Sequence, residues 1–259
     1  MMNKLLSLPI LSSKHGADVD ALIIYVHWLM GLLFVGWLAF FLYALWRFQA
    51  KKNPKADYVG ATTHTSSYIE VAVAFVEAVL LIGFAVPLWA KSVQAFPADK
   101  DSTVIRVTGR QFNWIARYPG KDGIFGKQDI NLVSGDNPMG LLAKNPATKA
   151  QDPAGADDII MENSEVVVPV NKPVIAHVSS LDVIHSFKVI PMRVTQDAIP
   201  GMSIPVHFIA TQTNTFQINC AQLCGSGHAG MKGILKVLPQ QEYDTWYASK
   251  SGAGPVSFE

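Results

Sequence analysis

Residues 21–46 read ALIIYVHWLMGLLFVGWLAFFLYALW, 26 positions without an Asp, Glu, Lys or Arg. A helix needs about 20 apolar residues to cross roughly 30 Å of hydrocarbon, so this run predicts a membrane span. A buried helix of a soluble core is the competing reading. The run is apolar around too much of its circumference for that, and the rest of the chain offers no domain large enough to enclose it. A cleaved leader fits no better, because the run starts late, is too long and lacks a small-residue cleavage site at its end. Trp28, Trp37, Tyr43 and Trp46 include residues near the span ends, as in an aromatic interface belt. His27 reads as an interface or packing residue.

A second span is expected over about 68–90, with Pro87 near its end, where a break costs least. Residues 71–90 carry one charge, Glu77. The connecting loop holds Arg47, Lys51, Lys52 and Lys55, against Lys4 and Lys14 in the N-terminal tail. The positive-inside rule places that loop in the cytoplasm, and both termini on the periplasmic or outer side of an inner (plasma) membrane. The expected organisation is an outer-side tail over 1–20, a helical hairpin over 21–91 (spans about 21–47 and 68–90) and an outer domain over 92–259. Glu70 and Glu77 are seven apart and share a helix face. Carboxylates in a span are costly and usually face protein or water, so the hairpin is expected to pack on another membrane subunit as well as lipid.

Composition agrees with this division. The 259 residues are 49% hydrophobic and only 16% charged, and the apolar excess sits in the two runs. That excludes a disordered chain and a fully soluble one, and the net charge of +1 gives no pull toward nucleic acid. Residues 92–259 balance 14 Lys plus Arg against 15 Asp plus Glu. Short apolar, β-branched runs recur there, over 103–107, 165–170, 173–178, 185–190, 204–210, 215–219 and 233–237. They predict a small antiparallel Greek-key sandwich or barrel. Residues 134–157 read as a long surface loop, and 241–248 as a C-terminal helix. There is no internal repeat, nucleotide-binding glycine loop, Ser-centred nucleophile elbow or Cys-x-x-Cys-His haem attachment motif in the sequence.

Both cysteines fall in Cys220-Ala-Gln-Leu-Cys224-Gly-Ser-Gly-His228-Ala-Gly-Met231, and His185 lies on an earlier predicted strand. Two thiols, imidazole and a thioether are donors that suit copper. Gly225, Gly227 and Gly230 let the segment turn tightly enough to aim them at one point. A disulfide would leave His228 and Met231 without a role, and a zinc site would leave Met231 idle. A mononuclear blue-copper site needs one Cys, not two. Two thiolates can instead bridge two copper ions, sharing one unpaired electron.

This Cys-x3-Cys-x3-His-x2-Met stretch, with Asp182-Val-Ile-His185-Ser-Phe187 and Asp197-Ala-Ile-Pro200-Gly201, resembles subunit II of haem–copper cytochrome c oxidases. The resemblance runs over about residues 21–240. It implies a two-helix transmembrane hairpin followed by a cupredoxin-like Greek-key β-barrel domain with a dinuclear copper A centre. The implied ligands are His185, Cys220, Cys224, His228, Met231 and the backbone carbonyl of Gln222. The family usually has Glu at the Gln222 position, where its side chain helps hold Mg²⁺ against subunit I. Gln222 is a weaker ligand, so the resemblance does not carry that Mg²⁺ over.

Arg110-Gln-Phe112-Asn-Trp114 is similar to the aromatic stretch whose surface Trp takes up electrons in the family, with Phe where the first Trp usually stands. Glu70 aligns with a Glu at the mouth of a proton path into subunit I. The resemblance thus implies a chain that accepts single electrons from cytochrome c, or a similar small donor, and passes them to haem in subunit I. Oxygen is reduced to water there, with proton pumping. Subunit I and other oxidase subunits are the implied partners. Relatives in quinol oxidases have lost the copper ligands that this chain keeps, and nitrous oxide reductase needs a larger catalytic domain. The rival of another class is a membrane-anchored copper-delivery protein.

Overall fold

The computed structural model describes residues 5–55, 58–60 and 62–251, which form two compact units. One unit, with Ala17–Gln94 as its main part, is the hairpin. Helix α1 (Gly16–Arg47) and helix α2 (Thr65–Gln94) are both long and apolar enough to cross a membrane. Each therefore extends beyond the span expected for it. Val79–Ala85 within α2 is π-helical, a local widening between Glu77 and Pro87. Tyr25 meets Phe84 edge-on at 5.9 Å, and Lys91 pairs with Asp18 at 2.8 Å. At the other end Arg47 donates to the Asn53 side chain at 2.9 Å. His27 Nδ1 lies 2.7 Å from the Ile23 carbonyl of its own helix. Exposed Leu, Phe, Val and Trp run along both helices, a surface that only lipid or another membrane protein can cover.

The second unit comprises Pro9–Gly16 and residues from Ala95 on. Its strands are β1 (Thr103–Arg110), β2 (Asn113–Tyr118), β3 (Ile159–Met161), β4 (Glu165–Pro169) and β5 (Pro173–Ser180). They continue as β6 (His185–Val189), β7 (Val194–Ala198), β8 (Ile204–Ile209), β9 (Asn214–Cys220) and β10 (Lys232–Leu238). Two five-stranded sheets form, in the orders β3-β2-β1-β5-β8 and β4-β10-β9-β6-β7. This is the sandwich form of a cupredoxin-like domain, mixed and not wholly antiparallel as expected, because β1 pairs with β5 and β4 with β10 in parallel. Alternate residues of β10 are buried, as a half-covered strand requires. Ile105, Val107, Trp114, Tyr118, Phe187, Ile218 and Leu235 meet in the core between the sheets.

Three strands escaped the sequence pattern. β3 is only three residues long, β7 alternates with polar Thr195 and Asp197, and β2 contains a fully buried Arg117. That guanidinium bonds the Asp158 carboxylate, and its Nη2 also donates to the Gly126 carbonyl at 2.6 Å. The pair anchors the long segment over 119–158, which carries four 3-10 turns and is not the featureless loop its composition suggests. Met139 and Leu141 pack with Ile115, giving the first sheet a second small core. Helix α3 (Gln240–Lys250) lays Trp246 edge-on to Tyr118 at 5.1 Å.

Residues 9–16, inside the expected tail, belong to this β unit. Ser13 bridges Ala210, and Ser12 N–H donates to Pro191 O at 2.8 Å. The Ser13 hydroxyl donates to Met192 O at 2.6 Å, and Arg193 Nη2 to Pro9 O at 2.8 Å.

Candidate metal centre

The register brings one set of loops to one end of the sandwich. His185 opens β6 opposite Ala198, where β7 ends, and Cys220 closes β9 opposite Phe187 of β6. The chain then turns through Cys224, makes a short 3-10 turn over His228–Gly230, and re-enters the sheet at Lys232. One donor therefore sits on a strand and the rest on the loop beside it.

The donor atoms converge. Cys220 and Cys224 Sγ lie 3.8 Å apart. His185 Nδ1 is 3.9 Å from the Cys220 sulfur, and His228 Nδ1 is 3.6 Å from the Cys224 sulfur. Met231 Sδ stands 3.7 Å from the Cys224 sulfur, and the Gln222 carbonyl oxygen 3.1 Å from that of Cys220. All six atoms expected as ligands are thus brought together. Metal–ligand bonds of about 2.0–2.3 Å give ligand–ligand edges of about 3.3–3.8 Å in a tetrahedron. The spacing and softness of the set therefore fit copper.

Neighbours hold this loop in place. A Cβ on Gly227 would sit 2.5 Å from the Phe112 ring, so only glycine lets the ring lie on the loop backbone. Gly225 takes φ +134°, a conformation that side chains disfavour. Gln111 Nε2 donates to the Cys224 carbonyl at 2.5 Å, and Gln111 N–H to Asp182 Oδ2 at 2.7 Å. The other oxygen of Asp182 meets His185 Nε2 at 2.8 Å, leaving Nδ1 free to face the sulfurs. Burial opposes the Asp182 charge, but bonds from Gln111, His185 and Val183 outweigh it and hold the carboxyl below its ordinary value. Burial, then the adjacent Cys220 thiol, push the Cys224 thiol up to about 11. A bound cation reverses that penalty, because the ligand form is the thiolate.

Gln111 and Asp182 carried no role in the sequence reading. Asp182, three residues before His185, was visible as part of a motif; Gln111 had no signal of its own. The aromatic pair separates. Trp114 is 0% exposed and edge-on to His185 at 6.0 Å and to Phe187 at 5.6 Å. It is a core residue, not the surface ring expected of a contact for an electron donor. Phe112, 38% exposed, is the ring that meets solvent. Glu70 lines an apolar cleft of about 560 Å³ between the hairpin helices, beside Trp37 and Phe40.

Two membrane-length helices and a β-sandwich with a His, Cys, Cys, His, Met set at one end define a membrane-anchored protein of the cupredoxin-like class with a candidate metal site. Residues 103–238 match the family described as cytochrome c oxidase subunit II, periplasmic domain. The chain is 33% identical over 245 residues to an alternative cytochrome c oxidase subunit 2 of Bradyrhizobium diazoefficiens, covering 92% of this chain and 84% of that one. It is 32% identical over 240 residues to a cytochrome c oxidase subunit 2 of Cereibacter sphaeroides, covering 88% and 76%. A crystal structure of the periplasmic domain of subunit II of the Bradyrhizobium japonicum cytochrome oxidase is similar at 29% identity, over 60% of this chain and 94% of that one, with a TM-score of 0.41. The chain belongs to the cytochrome c oxidase subunit II family. It is thus a membrane-anchored subunit of an oxidoreductase complex, a haem–copper terminal oxidase, and associates with other oxidase subunits.

Proposed function

We propose that this chain is the electron-uptake subunit of its oxidase. In this reading it receives single electrons from cytochrome c or a similar small donor at a dinuclear copper A centre. It delivers them to haem in subunit I, where O₂ is reduced to water with proton pumping. The observation that carries the reading is the pair of sulfurs 3.8 Å apart, with an imidazole nitrogen beside each. When bound there, a copper pair supplies a one-electron redox site shared across both thiolates.

The chain's own residues do the rest. The Cys220 and Cys224 thiolates and the His185 and His228 imidazoles would hold the copper pair, with the Met231 thioether and the Gln222 carbonyl as further, weaker donors. Asp182 fixes the His185 tautomer, and Gln111 and Phe112 hold the loop, so that ligand positions change little with redox state. Phe112 is the candidate ring for electron uptake, and Glu70 the candidate for a proton path into subunit I. Gln222 offers no carboxylate for Mg²⁺, and that ion is not part of the reading. The bonds of residues 9–16 within the β unit support an arrangement with the N-terminus and the copper domain on the same, outer side.

The test is an EPR and visible spectrum of the full chain in detergent, loaded with copper. A purple centre with a seven-line hyperfine pattern is expected, and Cys220→Ser should abolish it. A four-line pattern with one copper per chain, or a normal spectrum in the Cys220→Ser variant, would defeat the bridging assignment. Labile, colourless Cu(I) would favour the copper-delivery reading.

A further inference from the structure

Strand β1 brings a glycine to the metal end on its core-facing side. Ile105 and Val107 join the core, and the alternation along the strand continues to the buried Gly109. Trp114 stands directly opposite it on β2. On the other side Gly109 pairs with Ser180 of β5, and the Leu181 N–H donates to the Gly109 carbonyl at 3.0 Å. The backbone at this point is therefore held by both neighbouring strands. His185 fills the space that a side chain at 109 would take. A Cβ there would stand 2.8 Å from Cδ2 of the imidazole, 3.0 Å from its Cγ and 3.2 Å from the histidine Cβ. A glycine inside a strand marks a close approach of this kind.

The His185 ring is bounded on three sides. The Gly109 backbone lies along its Cγ–Cδ2 side, the Trp114 indole meets it edge-on at 6.0 Å, and Asp182 Oδ1 stands 2.8 Å from Nε2. Nδ1 is left facing the Cys220 sulfur at 3.9 Å. The residue is fully buried. His228 sits differently, half-buried on the short 3-10 turn of the cysteine loop. One imidazole is thus set in plane and direction by the sheet, and the other is carried by the loop. A ring locked by packing holds its donor atom in place before a metal arrives.

We infer that Gly109 is a positioning residue for the metal centre. It offers the metal no donor; the side chain it lacks leaves the slot that fixes the His185 ring and the direction of Nδ1. The copper reading above supplies the identity of the metal on which this rests, while the slot itself belongs to the chain alone. A methyl group at 109 must displace the ring, because the pairing to β2 and β5 holds the backbone.

The test compares the full chain in detergent with Gly109→Ala and with Ile105→Ala, a core truncation on the same strand. Gly109→Ala should blur the seven-line copper pattern and lose copper to a soluble chelator about tenfold faster or more, the scale of removing a ligand's support. Ile105→Ala should lower the unfolding midpoint yet keep the parent spectrum, with copper loss within about twofold of the parent. A folded Gly109→Ala with the parent spectrum and rate, or an Ile105→Ala chain disturbed as much, would overturn the inference. Trp114→Phe opens the opposite wall without adding a clash and decides the matter if Gly109→Ala does not fold. Copper loss about threefold faster or more supports the slot, and an unchanged rate overturns it. Diethyl pyrocarbonate on the copper-free chain, read by peptide mass spectrometry, tests the slot without the metal. It should modify His228 and spare His185 in the parent and in Ile105→Ala, and reach His185 in Gly109→Ala. Ready modification of His185 in the parent would overturn the slot. The expected labelling in a parent that forms no purple centre would defeat the copper reading and leave the slot standing.

Discussion

Two of the segments of the β unit that lie outside the strands are organised by opposite means. The cysteine loop is short, carries no charge and is held from outside by Gln111 and the Phe112 ring. The segment over 119–158 is long and held by charge. Arg117 and Asp158 pair in full burial, the Gly126 N–H donates to Asp158 at 3.0 Å, and Asp152 accepts from the Lys127 N–H at 2.8 Å. A segment that carries soft donors at its centre can use a nearby carboxylate only where hydrogen bonds already occupy it, as Gln111, Val183 and His185 occupy Asp182; a free one would compete for a bound cation. A segment that only covers a sheet face can use them freely, provided each is paired.

The largest expected effect lies in the charged segment. Arg117→Leu leaves the Asp158 carboxylate buried without its partner and should cost about 3–5 kcal/mol. The measurement is chemical unfolding of the purified chain followed by Trp fluorescence. Adding Asp158→Leu should recover at least half of the loss; if the double variant is as unstable as the single, the pair is not what anchors the segment.

A smaller effect is expected at the metal end. Gly227→Ala drives a Cβ to 2.5 Å from the Phe112 ring and should cost about 1–3 kcal/mol. The copper spectrum should broaden or weaken, while the Arg117→Leu variant, where folded, keeps it. Equal disturbance of the spectrum by both would erase the distinction between the two segments.

The smallest effect is one of pH. His177 lies opposite Arg106, whose guanidinium stacks over Phe125 of the long segment at 4.4 Å. Burial, then Arg106, hold the His177 imidazole below its ordinary value, with Asp99 pulling the other way. The unfolded chain therefore takes up this proton first as the pH falls. Stability is complete above about pH 6.5 and declines below it. His177→Gln should flatten that decline in thermal unfolding followed from pH 8 to 5, and an unchanged slope would assign it to another group.

The same contrast decides what could be read from the sequence. The clustering of the candidate donors was legible because it is local: four of the side chains fall between Cys220 and Met231. The two spans were legible because a bilayer imposes a length and an absence of charge. Strand β2 was not, since Arg117 interrupts its apolar pattern and is tolerated only because Asp158 waits 41 positions away. The burial of Trp114 was hidden for a related reason. Whether a ring in an aromatic run faces solvent or core depends on the opposing sheet, here Phe187 and His185. Gln111 acts through partners at Asp182 and Cys224, which only the folded chain brings near.

The strand-like contact of residues 9–16 bears on how such a chain is made. Ser13 leaves the ribosome early and Ala210 late, with the whole hairpin between them. The bridge and the bonds around it can form only where the segment before the hairpin and the segment after it meet. A hairpin threaded with its ends in different compartments would lose those bonds, so they act as a check on threading after the chain is made.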